Sequence, residues 1–282
     1  TTAVAAWASG GALNLARRGQ GSAGTQTAGL AFGGTPPPNG NNVSEEYDGS
    51  SWTEGNNLNT GKTTTAGAGT QTAGLGFGGI TSGSNTKTTE EYNGTSWSEQ
   101  NDMSTARQAL AGTGTQTAAL AIGGYTNTAV ANTEEYGGAS WTAGGALPVA
   151  KSVLSAAGTL TAGLAIGGNS YLATTEHYDG SSWTAGGNLN TGRVNMGAAG
   201  LQTAAVTFGG FTGSNTGSTE LYDGTSWSNS ASLATARRQI GGNGVLASAL
   251  AHGGYAGADS ALTEEFSAPS DFVQIHEGKG CV

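Results

Sequence analysis

An all-β fold assembled from six copies of one four-stranded unit is what this sequence predicts, on three observations. Tryptophans fall at Trp7, Trp52, Trp97, Trp141, Trp183 and Trp227, a period of 42 to 45 residues. Six Gly-Gly pairs keep step with them, at Gly33-Gly34, Gly78-Gly79, Gly123-Gly124, Gly167-Gly168, Gly209-Gly210 and Gly253-Gly254. Six basic residues (Arg17, Lys62, Arg107, Lys151, Arg193 and Arg237) each stand ten residues after a Trp and sixteen before the first Gly of a pair. Self-similarity at this period marks a repeat architecture in which each unit buries its face against its neighbours. A four-stranded unit of this length closes into a ring as one blade of a β-propeller.

The unit from Lys62 to Trp97 shows how each element is specified. The small residues of TTTAGAGT (63–70) suit the crowded innermost strand, Gln71 to Ala73 make a turn, and GLGFGG (74–79) is the second strand. A polar loop follows, then TTEEY (88–92) as the third strand, the turn NGTS (93–96) and Trp97 on the outermost strand. Asn-Gly at 93–94 and Asp-Gly at 48–49, 179–180 and 223–224 are hairpin signals, because type I′ turns need φ > 0 at both central positions. Gly-Gly after the second strand answers the same need for positive φ or close approach.

Length varies in one place. The spacing from the second Gly to the aromatic (Tyr47, Tyr92, Tyr136, Tyr178, Tyr222, Phe266) runs 13, 13, 12, 10, 12 and 12, whereas the Tyr-to-Trp step is always five. All the variation therefore sits between the second and third strands. The chain begins just before an outer-strand Trp and its last unit stops at Phe266, so residues 3–9 are expected to complete the sixth blade beside 238–266. Closing the ring this way pairs edges that would otherwise be aggregation templates. The expected organisation is a propeller over 1–266 and a tail or linker over 267–282. Thr1 in place of Met points to a processed product or a piece of something longer.

Composition narrows the function classes. Charged residues are only 10% and Gly numbers 51, which alone would fit a low-complexity segment. The apolar residues return in register with every Trp, which requires packed strands instead. A net charge of −9, with no basic cluster beyond Arg17-Arg18 and Arg237-Arg238, speaks against nucleic acid as a partner. No apolar run approaches the 18 or more residues of a membrane-spanning helix, so no membrane insertion is expected. The single cysteine, Cys281, permits neither an internal disulfide nor a multi-Cys metal site.

Several spaced elements together resemble the kelch repeat over residues 1–266: Gly-Gly after an apolar strand (AGLAFGG, 28–34), Glu45 and Tyr47, Trp52, then Leu58 and Lys62. The resemblance implies a six-bladed kelch-type β-propeller in which the recurrent Glu (Glu45, Glu90, Glu134, Glu176, Glu220, Glu264) pairs with the recurrent basic residue. Buried charges must be paired, which is reason enough for the two to recur together. Trp and Tyr are expected in the core between blades. The wording GTQTAGLAFGG and EEYDGSSWT also resembles kelch-type repeats in structural proteins of marine bacteriophages.

Enzyme chemistry is not expected. His177, His252 and His276 occupy unrelated repeat positions, and no spacing of ligands points to a metal. A kelch-class copper-radical oxidase would need a cysteine inside the propeller. The DGSSW phrase is similar to a sialidase Asp box but is one residue short between Asp and Trp. No catalytic residue, metal or cofactor is assigned.

The variable loops are the better lead. In antiparallel blades the loop between the second and third strands and the connection between blades emerge on one face, and per-repeat variation on one face often marks a binding surface. The candidate ligand-binding residues there are Tyr125, Asn127, Tyr171, Phe211, Asn215 and Tyr255. Aromatics among amides and hydroxyls suit a sugar, whose apolar face packs on a ring while its edges take hydrogen bonds. The expected function is non-catalytic binding or structural display on a virion, as a tail fibre or other receptor-contacting module. Its partners would be a host-surface glycan or protein receptor and other virion proteins, at a virion or extracellular surface. The alternative is a cell-surface or scaffold propeller, or a lectin, of non-viral origin.

Overall fold

The computed structural model describes residues 4–35 and 40–268. Strands pair into six antiparallel four-stranded sheets, the blades of a propeller, with one extra two-stranded ribbon at Ile80–Thr81 and Ser84–Asn85. Blade 1 runs Gly21–Gly24, Gly29–Phe32, Ser44–Tyr47 and Trp52–Glu54 from the centre outward. Blade 2 repeats this as Ala66–Thr70, Ala73–Phe77, Thr89–Tyr92 and Trp97–Gln100. Blades 3, 4 and 5 begin at Ala111–Thr115, Ser155–Thr159 and Gly197–Leu201. Blade 6 takes Gly241–Val245, Ser248–His252 and Thr263–Ser267 from the end of the chain and Ala6–Ser9 from its start, with Trp7 opposite Phe266. The ring closes as the spacing predicts. The tail from 269 onward lies outside the described residues.

The elements differ from expectation at their ends. The innermost strand starts at Ala66 rather than 63, because Thr64 sits at φ 49° in the connection between blades. Strand resumes at Ala73 inside the expected turn, and the second strand ends at Phe77. Gly78 and Gly79 follow at φ 62° and 105°, and a Cβ on Gly79 would lie 2.6 Å from the Thr63 carbonyl. Only glycine meets both conditions. Small residues at the centre have an equally direct cause. A Cβ on Gly67 would come within 2.3 Å of the Ser22 carbonyl oxygen of the preceding blade.

Second strands are buried on both faces, as in GLAF at 29–32, because they lie between neighbouring blades. Each Trp lies over the preceding blade. Trp97 packs on Phe32 at 4.9 Å between ring centroids, Trp141 on Phe77 at 4.9 Å and Trp7 on Phe208 at 5.0 Å. Five indole N–H groups donate to the threonine hydroxyl that opens the third strand of the preceding blade: Trp7 to Thr219, Trp52 to Thr263, Trp141 to Thr89, Trp183 to Thr133 and Trp227 to Thr175. For Trp97 that position is Ser44, whose hydroxyl donates instead to the Asn56 carbonyl at 2.7 Å, and the Trp97 N–H has no partner among the described residues.

A second contact crosses every blade boundary. Tyr47 donates to Glu265, Tyr92 to Glu46, Tyr136 to Glu91 and Tyr178 to Glu135, and Tyr222 meets His177 at 2.7 Å. Burial first, then the carboxylate partner, pushes the Tyr47 hydroxyl up to about 12, which keeps it a donor. At the sixth boundary the tyrosine is Phe266 and the acceptor is Leu221, both inside one apolar cluster. The two members change together. Glutamines in the turn after the first strand add a third contact: Gln71 donates to the Gly29 and Tyr47 carbonyls of blade 1.

The boundary between blades 6 and 1 is chemically distinct. The position of Phe32 and Phe77 is here His252, fully buried, 5.1 Å from Trp52 and beside the Gln20 amide. Burial and the charges of Arg17 and Arg237 pull its pKa down to about 3.

Two outcomes are expected. Glu91→Leu alone leaves the Tyr136 hydroxyl without its acceptor and should cost about 1–3 kcal/mol, whereas Glu91→Leu with Tyr136→Phe should recover most of that. Urea denaturation of the two variants checks this, and equal losses would refute the pairing. For His252, the folded state holds it neutral while the unfolded chain takes a proton below pH 6.5. Its stabilising neutrality is complete above pH 6.5 and is lost as pH falls toward 3, by up to ~1.4 kcal/mol per pH unit. His252→Phe should flatten the stability of the protein between pH 6.5 and 4, and an unchanged slope would exclude His252 as the cause.

Candidate functional site

The variable loops rise from bases that buried charges hold shut. Each recurrent cation is fully buried and paired with the recurrent glutamate of its own blade: Arg17 with Glu45, Lys62 with Glu90 (3.1 Å), Arg107 with Glu134 (2.8 Å), Lys151 with Glu176, Arg193 with Glu220 (3.1 Å) and Arg237 with Glu264. Burial pulls the basic groups down and the adjacent carboxylates push them back up. The same Arg17 guanidinium donates through Nη1 to Gly33 O at 3.1 Å and Val43 O at 2.9 Å, the two ends of the loop. Arg193 and Lys151 bond the far end of their loops alone, at Ser218 O and Thr174 O. The glutamate fixes the connection between blades by accepting from backbone amides, Asn14 N at 2.6 Å in blade 1 and Asn59 N at 2.7 Å in blade 2. Loop length can vary because the loop is tied at its base.

The residue two places after each cation lines the mouth of the central channel. Gly19, Thr64, Ala109, Val153, Asn195 and Gln239 all have φ between 49° and 62°. Their amides point around the ring: Ala109 N donates to Thr64 O, Val153 N to Ala109 O, Asn195 N to Val153 O, Gln239 N to Asn195 O and Gly19 N to Gln239 O. Positive φ costs of order 1–3 kcal/mol at β-branched Thr64 and Val153, and the surrounding bonds impose it. With residues such as Leu110 and Met196 they line an open cavity of about 300 Å³.

Outside this mouth lie the aromatic candidates. The residue after Gly-Gly pairs by backbone with the residue after the cation, as in Gln108 with Tyr125, Val194 with Phe211 and Arg238 with Tyr255. Tyr171 and Phe211 lie 6.2 Å apart between ring centroids. The Arg238 guanidinium lies over both Phe211 (4.6 Å) and Tyr255 (4.9 Å), and Arg18 lies over Tyr255 at 4.6 Å. One strip thus runs Tyr171, Phe211, Arg238, Tyr255, Arg18 across blades 4, 5, 6 and 1. Arg18 also pairs with Asp259 at 3.1 Å, and Asp259 accepts from the Thr35 hydroxyl.

The six sequence candidates fall into three groups. Tyr171 (46% exposed), Phe211 and Tyr255 (both half-buried) belong to the strip. Tyr125 (39% exposed) and exposed Asn127 stand on blade 3, outside it. Asn215 is half-buried and donates its amide to Tyr255 O at 2.9 Å, so it ties two loops together. Asn85 makes the equivalent tie to Tyr125 O. Sequence reading missed Arg18 and Arg238 as members of this surface. Both were visible as the second residue of an Arg-Arg pair, but their ring partners come partly from the preceding blade. Among the described residues, no three His, Cys, Asp or Glu side chains gather as a metal site would require.

A scan against protein-family models finds no match, and a search of curated proteins finds none either.

Proposed function

We propose that this chain is a non-catalytic binding and display module: a kelch-type propeller of a virion tail fibre, or of another receptor-contacting part. Its partners on this reading are a host-surface glycan or protein receptor, with other virion proteins holding it in place at the virion or extracellular surface. One observation carries the proposal. Length variation is confined to loops on a single face, and that face bears exposed aromatic rings on a framework held constant beneath it. A binding surface needs this separation, because its contacts must vary without disturbing the packing between blades. The phage-like wording of the repeats supports the virion setting.

Rings on the face should be separable from the fold. Tyr125→Ala with Tyr171→Ala should shift stability by only about 0.5 kcal/mol per site, since both are substantially exposed. The same double variant should lose attachment to host cells or to immobilised host glycans. Wild-type attachment by a folded double variant would remove these rings from the contact surface.

A further inference from the structure

We infer that the strip from Tyr171 to Arg18 is a site for a carboxylated saccharide, with Arg238 as the group that reads the carboxylate. This rests on the binding-module reading and names its ligand class.

Charge distribution is the first support. The chain has ten Lys and Arg residues and a net charge of −9. Six of the cations are buried in ion pairs, Lys87 pairs with Asp102, and Arg18 pairs with Asp259. Lys279 lies outside the described residues. Arg238 is the described cation that no described carboxylate approaches within 4 Å. In so acidic a chain an uncompensated guanidinium on the variable face is a local exception, and it favours an anion there.

Geometry is the second support. A guanidinium offers its π-faces to aromatic rings and its N–H donors along its edges. Phe211 and Tyr255 both lie within cation–π distance of Arg238, so its orientation is held while it remains half-exposed. An oriented fork of donors matches the two oxygens of a carboxylate. The neighbouring Phe211 and Tyr171 rings, tilted by 37°, give an apolar platform beside it of the kind a pyranose face covers.

Strain is the third. Tyr171 reaches this position through two consecutive non-glycine residues with positive φ, Ser170 at 62° and Tyr171 at 56°. Its carbonyl rests on Gly192, where a Cβ would lie 2.0 Å away, and Leu172 N donates to Gly168 O to close the turn. Backbone held in an unfavourable region to expose a large ring points to a use for that ring.

The test measures binding of the full chain to oligosaccharides derived from alginate, hyaluronan and sialyllactose, each beside its carboxyl-reduced counterpart. Wild type should prefer at least one acid form by tenfold or more, and the preference should shrink as salt rises. Arg238→Gln should abolish the preference, Arg238→Lys should retain part of it, and Tyr171→Ala should weaken acid and reduced forms alike. Unchanged melting temperatures for these variants exclude loss of fold as the cause. Equal binding of acid and reduced forms by wild type, or a preference that survives Arg238→Gln, overturns this inference and leaves the binding-module reading standing. Binding of host cells without any of these saccharides also overturns it, whereas failure to bind saccharides and host cells alike overturns both.

Discussion

In every blade a fully buried cation meets a buried glutamate, and in blade 1 the chain around that pair shows how such a pair is held. The Arg17 guanidinium reaches Glu45 and two carbonyls at the loop ends, while Glu45 turns its second oxygen to the Asn14 amide and side chain. Connection, loop base and third strand are thereby held at one point. Removing one partner from such a pair costs about 3–5 kcal/mol, because the other charge is left buried and uncompensated. Thr64 and Val153, each two residues beyond its cation, carry the chain on at positive φ to the channel mouth, where backbone bonds around the ring hold it.

Between blades, apart from the half-exposed Arg18–Asp259 pair, the bonds described are neutral or singly charged, and some are replaceable in pairs. Tyr and Glu give way together to Phe266 and Leu221, and His177 replaces Glu opposite Tyr222. At one boundary a single exchange leaves a loose end: Ser44 stands where five other blades have Thr, and the Trp97 N–H has no partner among the described residues. Charge pairs within a blade are thus held constant, whereas contacts between blades tolerate coordinated exchange. Variable loops occupy the remaining freedom, outside both sets of contacts.

Much of this was legible in the residues. The Trp and Gly-Gly periods give the blade count, the constant step from cation to Gly anticipates a fixed contact, and the truncated last unit anticipates closure through Trp7. The strand ends were less legible. Nothing in the letters of TTTAGAGT says that Thr64 adopts positive φ, which opposes the preference of a β-branched residue and arises only from the ring of neighbouring amides. The role of Arg238 was hidden for a related reason: Tyr255, 17 residues after it, is its backbone partner, but Phe211, 27 residues before it, belongs to the preceding blade and meets it only through the ring. Tyr171 could be nominated from its loop, but its strained support at Ser170 and Gly192 could not.

If the buried pair is what the blade depends on, its two charges must be energetically coupled. A double-mutant cycle on Arg107 and Glu134, using Arg107→Met and Glu134→Leu in urea denaturation, measures that coupling directly. Each single variant should lose about 3–5 kcal/mol, and the double variant should lose little more than either, because no charge is left stranded. Additive losses in the double variant would contradict the account and shift the weight of the fold onto the aromatic contacts between blades.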